Sequence, residues 1–386
     1  MPRCCPSCGT LAAVLAVWTA LTPPALAQDA QDEPDAEAST EVPEAPNDRG
    51  HKKPQIVFAP VPFSSPASGT GVAAGGVAFY NPNGTPHQWI TGGGVVWTSR
   101  GTKGIAAFHK MASTNDHFRL SATASFLDQE NHFFGIGEEA GDEGDALSLQ
   151  DKQINIKATA TFQVFANGFV GVRYQLGTHD ARTEEEEDEP PSLTPPPPAD
   201  QLDSTLSVIG PAFTYDTTDS QSQPRSGVEI DATWTFGFDE LGDSYDHDKL
   251  VAEGHAYFSL SERTVLAASA QFCSAGGDVP YYDLCLFGAS ADLRGYETGR
   301  YRDRASWALQ GEVRHRFAER WGGVAFFGFG GIAPSAGDLV DEGNVLPAVG
   351  IGARYRPFKS NDVQLRVDLA VGKNDYGLYV GIGEAF

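Results

Sequence analysis

The sequence predicts an all-β fold, a transmembrane antiparallel barrel of about sixteen strands. Three observations carry that reading. The chain opens with an export signal and has no later run able to cross a membrane as a helix; segments of about ten residues alternate apolar and polar positions; and short connections between them alternate with long ones.

At the N-terminus Arg3 precedes the apolar run "LAAVLAVWTAL", and Ala25 to Ala27 place small residues at the spacing of a cleavage site, so residues 1–27 read as a signal peptide. That run of about 11 apolar residues falls well short of the roughly 20 a spanning helix needs. Cys4, Cys5 and Cys8 would leave with it, so Cys273 and Cys285 are the pair expected in the exported chain. Residues 28–54 are rich in Asp, Glu, Ala and Pro with almost no large apolar side chain, and cannot bury enough surface to offset their ordering entropy. They are expected to form an acidic, disordered periplasmic leader, with the barrel over 55–386. A formal net charge of −24 argues against nucleic acid as a partner.

The barrel segments are recognisable one by one. In "INIKATATFQV", Ile154, Ile156, Ala158, Ala160, Phe162 and Val164 share one face, and Asn155, Lys157, Thr159, Thr161 and Gln163 the other. "VQLRVDLAV" sets Leu365, Val367, Leu369 and Val371 against Gln364, Arg366 and Asp368. "ALQGEVRHRF" sets Leu309, Val313 and Phe317 against Gln310, Glu312, Arg314 and Arg316. A soluble sandwich would bury such apolar faces against each other. A transmembrane barrel turns them to lipid and keeps a wet, charged interior, which suits the export signal and the number of segments better.

About fifteen such segments can be counted between Gly71 and Phe386, whereas single-chain bacterial barrels have an even number. The short connections at Ser113 to Asp116, Ala166 to Gly168 and Ser261 to Arg263 read as periplasmic turns. By that parity Gly71 to Tyr80 runs inward from the cell surface, so a strand must precede it. "QIVFAPVPF" (Gln55 to Phe63) is the candidate, and its Pro60 and Pro62 suit an edge, where missing donors are tolerated. A weakly paired seam with the last strand, which carries Gly381 and Phe386, is the expectation. The same parity puts Gln129 to Gln150, Thr183 to Pro198 and the loop before Trp307 outside the cell. The first contains "GDEGD" but lacks the spacing of a calcium loop, and reads as solvated surface.

That last loop drops the alternation and packs four arginines and two aspartates into "DLRGYETGRYRDR" (Asp292 to Arg304). With its flank, "DVPYYDLCLFGASADLRGYETGRYRDR" resembles the sixth extracellular loop of the Omp85 superfamily, the bacterial surface antigen or BamA/TamA-type barrels, whose signature is an Arg-Gly-aromatic triplet. Arg294, Gly295 and Tyr296 match that triplet. "YDTTDSQSQPRSGVEI" (Tyr215 to Ile230) and "FSSPASGTGVAAG" (Phe63 to Gly75) resemble further family segments, with Thr218 where arginine is usual.

The resemblance implies sixteen strands and a loop folded back into the lumen, with Arg294 meeting Glu312 on a neighbouring strand. Its second acidic partner would fall at Gly328, so a weaker lock or a substitute from Asp292 or Asp303 is expected. Family members commonly carry POTRA or enzyme domains before the barrel, and 28–54 has room for neither, which implies a POTRA-less member. Tyr379, Gly381 and Phe386 fit the family's final-strand signal, while Glu384 departs from it.

No cofactor, metal set or catalytic constellation is readable: His255 and Ser259 are two pleats apart, about 13 Å, too far for a nucleophile and its base. Cys273 and Cys285 read equally as a disulfide stapling the loop or as two free thiols. By resemblance, the function is assistance in inserting or translocating proteins, or lipids, at the bacterial outer membrane. The partners would be outer-membrane lipid, unfolded outer-membrane proteins, or a separate POTRA-bearing or enzyme partner. The alternative is a passive pore or structural barrel without clients.

Overall fold

Alternation along the chain becomes two surfaces in space. In the computed structural model, Ile154, Ile156, Phe162, Leu369 and Val371 face outward and exposed, while Gln310, Glu312 and Asp368 from the opposite parity are buried inside. Residues 55–65, 69–82, 89–184, 192–220, 223–288, 293–341, 345–356 and 364–386 are described. The expected signal peptide (1–27), the leader (28–54) and Asp292 lie outside them. Among the described residues no helix is long and apolar enough to cross a membrane.

The first half of the barrel comprises β1 (Gln55–Ser65), β2 (Gly69–Tyr80), β3 (Trp89–Thr98), β4 (Lys103–Ala112), β5 (Phe118–Phe133), β6 (Leu147–Phe165), β7 (Gly168–Thr183) and β8 (Asp203–Asp216). It continues with β9 (Gly227–Gly237), β10 (His247–Ser261) and β11 (Thr264–Gly277); a loop carrying the two-residue strands β12 (Cys285–Leu286) and β13 (Arg302–Asp303) intervenes. Then come β14 (Ala305–His315), β15 (Trp321–Ala333), β16 (Leu346–Tyr355), β17 (Leu365–Gly372) and β18 (Asp375–Ile382). All but β12 and β13 form one closed barrel in which sequence neighbours pair antiparallel and β1 meets β18, so sixteen strands enclose the lumen. Closure removes, everywhere but at the β1–β18 seam, the sheet edges that would otherwise invite pairing with other chains.

Tight turns fall where the chain supplies residues that tolerate positive φ. Asp116 (φ 56), Asn167 (φ 62) and Asn374 (φ 55) occupy them, short polar side chains being the non-glycine types that enter this region most readily. At the end of the barrel where Asn374 turns, opposite Asp116 and Asn167, β5 and β6 run past their neighbours, so both flanks of the stretch expected as a solvated acidic loop, Gln129 to Gln150, are strand. Its tip forms a short helix, α1 (Glu138–Glu143), packed on the loop before β14.

The seam is thin. β1 pairs with β2 continuously from Gln55 opposite Phe79 to Ser65 opposite Gly69, but meets β18 at one register position, Ser64 opposite Val380. Pro60 and Pro62 lie on β1 with outward, exposed side chains, and each removes a backbone donor from the strand. Gly381 lies on β18.

Phe386 corrects the sequence expectation. β18 ends at Ile382, Gly383 turns with φ +85, and the remaining residues enter the lumen. There the Phe386 ring stacks on His255 (centroids 5.4 Å apart), and its carbonyl oxygen accepts a 2.6 Å hydrogen bond from Arg314 Nη2. It also packs against Tyr257, Val265 and Ala267. The physical reason is local: continuing the Ser64–Val380 register would set Ile382 opposite Pro62 and Glu384 opposite Pro60, which have no backbone donor, whereas the lumen offers an aromatic face and a guanidinium.

Candidate functional site

The loop between β11 and β14 crosses the lumen on two limbs. Its first limb leans on the β6 to β10 wall. Asp283 accepts from His247 Nε2 and Lys249 Nζ, both at 3.0 Å, and Tyr282 stacks on His179 with centroids 3.8 Å apart. Burial alone would raise the Asp283 carboxyl, but Lys249 and His247 outweigh it and hold it below the usual carboxylate range. Cys285 on this limb is disulfide-bonded to Cys273 on β11, with Cα atoms 5.7 Å apart.

The second limb carries Leu293 to Tyr296 against β14 to β18. Arg294 is 4% exposed. One guanidinium nitrogen donates to Glu312 on β14, the other to Asp368 on β17 at 2.6 Å, and its backbone N–H and Nε both approach Gln310 Oε1. The planar fork of arginine suits this division between two carboxylates. Its face lies 3.6 Å from the ring centroid of Phe326, so the cation is also covered on one side by π density.

Neither acid serves Arg294 alone. Glu312 also accepts from Arg314 Nε at 2.5 Å, Asp368 also accepts from Arg354, and Arg354 Nε donates to Glu384 at 2.7 Å. Glu384 lies 4.0 Å from Arg314, which closes a ring of three cations and three anions drawn from β14, the loop, β17, β16 and the C-terminal segment. Buried charges persist when each finds opposite charge and further hydrogen bonds, and alternation around a ring meets that condition. Arg366, next along the lumen face of β17, has buried Nε and Nη1 atoms without a hydrogen-bond partner.

Gly295 and Tyr296 seat the limb. Gly295 has φ +118, and a Cβ there would stand 3.1 Å from the Gly372 backbone nitrogen, so both conformation and closeness require glycine. Its N–H donates to Tyr379 Oη at 2.9 Å. Tyr296 is buried, donates its hydroxyl to the Pro347 carbonyl at 2.5 Å, accepts from the Lys373 N–H at 2.9 Å, and packs edge-on against Phe287 and Tyr301. α1 caps the loop: Tyr301 Oη donates to Asp142, and Lys373 Nζ reaches Glu138 and Asp142 at 3.0 and 2.8 Å.

The second acid is therefore Asp368, not a residue at the Gly328 position. A Cβ at Gly328 would collide with the Leu293 side chain and the Leu309 carbonyl, so a bare strand is what admits the loop there. Asp303, offered by the sequence as a substitute, instead accepts the backbone N–H of Arg304 at 2.8 Å. Sequence reasoning also missed Arg354, Gln310 and the ring role of Glu384. The parity of "VQLRVDLAV" had already put Asp368 on the polar face, and that was the available signal.

A sixteen-stranded barrel, apolar outside and charged within, whose lumen is crossed by an Arg-Gly-Tyr loop, defines a bacterial outer-membrane barrel. The Omp85 superfamily domain matches residues 74–386, and the chain belongs to that superfamily, a group of non-enzymatic barrels of the bacterial outer membrane. Over 96 residues it is 33% identical to the outer membrane protein assembly factor BamA of Nitratidesulfovibrio vulgaris, a match covering 24% of this chain and 12% of that protein. Among solved structures it resembles BamA from Haemophilus ducreyi lacking POTRA domains 1–3, with TM-score 0.57 and 13% identity, covering 86% of this chain and 70% of that one. CdiB from Escherichia coli gives TM-score 0.57 at 13% identity, covering 89% of this chain and 63% of the other. At these identities the structural likeness speaks to fold.

Proposed function

We propose that this barrel assists the insertion or translocation of proteins, or lipids, at the bacterial outer membrane by parting at the seam between β1 and β18. The observation that carries the reading is the single register position, Ser64 opposite Val380, where every other neighbouring pair is laddered. Parting there would expose two strand edges, and an edge can template an incoming strand through backbone hydrogen bonds. In this reading Arg294, Gly295, Tyr296 and Glu312 lock the loop to the wall beside the seam. They keep the rest of the barrel in register while β1 moves. The disulfide Cys273–Cys285 staples the other limb.

The test is a disulfide engineered across the seam, Ser64→Cys with Val380→Cys. The oxidised pair is expected to change the protein or lipid composition of the outer membrane, with reductant restoring it and each single cysteine variant silent. Unaltered composition with the seam fully crosslinked contradicts the proposal. A passive pore would instead show steady conductance in planar bilayers with no crosslinked client; the loop crossing the lumen favours low conductance.

A further inference from the structure

We propose that an arginine-lined cleft at the short-turn mouth of the barrel binds the chain's own acidic segment, Asp29 to Asp48. The cleft, about 510 Å³, opens among the β8–β9, β10–β11, β14–β15 and β16–β17 connections. Arg225, Arg263, Arg316 and Arg320 line it, from three different connections, and form no ion pair among the described residues. Their side chains are half-buried to exposed. The two carboxylates in the lining are already engaged: Asp219 accepts from the Arg225 and Ser226 N–H groups of its own turn, and Glu384 belongs to the lumen ring.

Four unneutralised guanidinium groups on one rim are unexpected in a chain of net charge −24. Like charges so placed repel unless an anion lies among them, and carboxylates match the guanidinium fork. The same chain supplies them: between Asp29 and Asp48 there are eight acids and no Lys or Arg.

Connectivity brings the two together. Gln55 opens β1 opposite Phe79, and β2 ends at Tyr80, at the end where Trp89 Nε1 donates to the Ala112 carbonyl beside the β4–β5 turn. The acidic segment is thus tethered at the mouth that holds the cleft. The 26 steps from Asp29 to Gln55 can extend to about 90 Å at roughly 3.5 Å each. Tethering raises the local concentration of the segment over any untethered competitor.

The experiment uses the full chain in its membrane, with photoreactive p-benzoylphenylalanine at Ala318, exposed on the turn between Arg316 and Arg320. Mapping by mass spectrometry is expected to place the crosslink within Asp29 to Asp48 of the same chain. The yield should drop about fivefold when salt rises from about 0.05 to about 0.5 M, as screening shortens the reach of exposed charges. A similar drop is expected for Arg263→Gln with Arg316→Gln and Arg320→Gln. Should that variant fold poorly, Asp29→Asn with Asp32→Asn and Asp35→Asn leaves the barrel untouched and should give the same loss. Crosslinks to lipid or to another protein with none to the segment would overturn the proposal. So would a segment crosslink indifferent to salt and to both sets of charge changes. The readout does not depend on transport, so it stands or falls apart from the seam proposal.

Discussion

The two sides of β18 are held in different ways. Toward β17 it is laddered from Ile382 opposite Leu365 to Asp375 opposite Gly372; toward β1 it meets Ser64 alone. The laddered side carries an additional layer inside the lumen, where the charge ring ties β14, β16, β17 and the tail beyond β18 through Arg294. The thin side has no counterpart among the described residues. A barrel that must part at one seam and hold everywhere else needs this contrast: backbone pairing withheld on one side, side-chain bracing added on the other.

The largest expected effect comes from breaking the brace. Arg294→Ala leaves Glu312 and Asp368 buried with less compensation, a loss of about 3–5 kcal/mol by analogy with other broken buried pairs. The fraction of heat-modifiable folded barrel should fall. Behaviour like the parent would place the bracing elsewhere. Next comes the staple: Cys273→Ser with Cys285→Ser opens a closure of 12 residues and is expected to cost about 2–4 kcal/mol. The loss should appear as protease sensitivity of the first limb, while the second stays protected.

Acid should loosen the first limb. Asp283 is held below its ordinary pKa, so the stability it contributes is present above about pH 3.9, its unfolded value, and is lost as pH falls through the lower folded value. Protease cleavage near Tyr282 should therefore rise only below about pH 4; a rise near neutrality would contradict the assignment. The smallest effect is expected at the α1 cap, where Lys373→Ala removes partly exposed pairs worth at most about 1 kcal/mol. A large loss there would make the cap, rather than the ring, the main hold on the loop.

Much of this contrast was legible in the chain, because strand alternation is a local code. Face assignments such as Leu369 outside and Asp368 inside follow from parity alone, and the proline-bearing first strand follows from counting turns. Pairing across the lumen is not local. The loop spans several strands, so Arg294 takes its second acid from β17, whereas sequence reasoning looked to the adjacent β15. In the sequence Gly328 stands as a missing carboxylate; in space it is room for Leu293. The final-strand pattern places Phe386 on the strand, whereas Gly383 turns it and Glu384 away.

Hydrogen–deuterium exchange of the full barrel in lipid tests the contrast most directly. Amides on the β18-facing side of β1 and the β1-facing side of β18 are expected to exchange well ahead of those in β14 to β17. Arg294→Ala should speed exchange in β14 to β17 and bring the two regions closer together. Equal protection of the seam and the β14 to β17 wall in the parent protein would contradict the account.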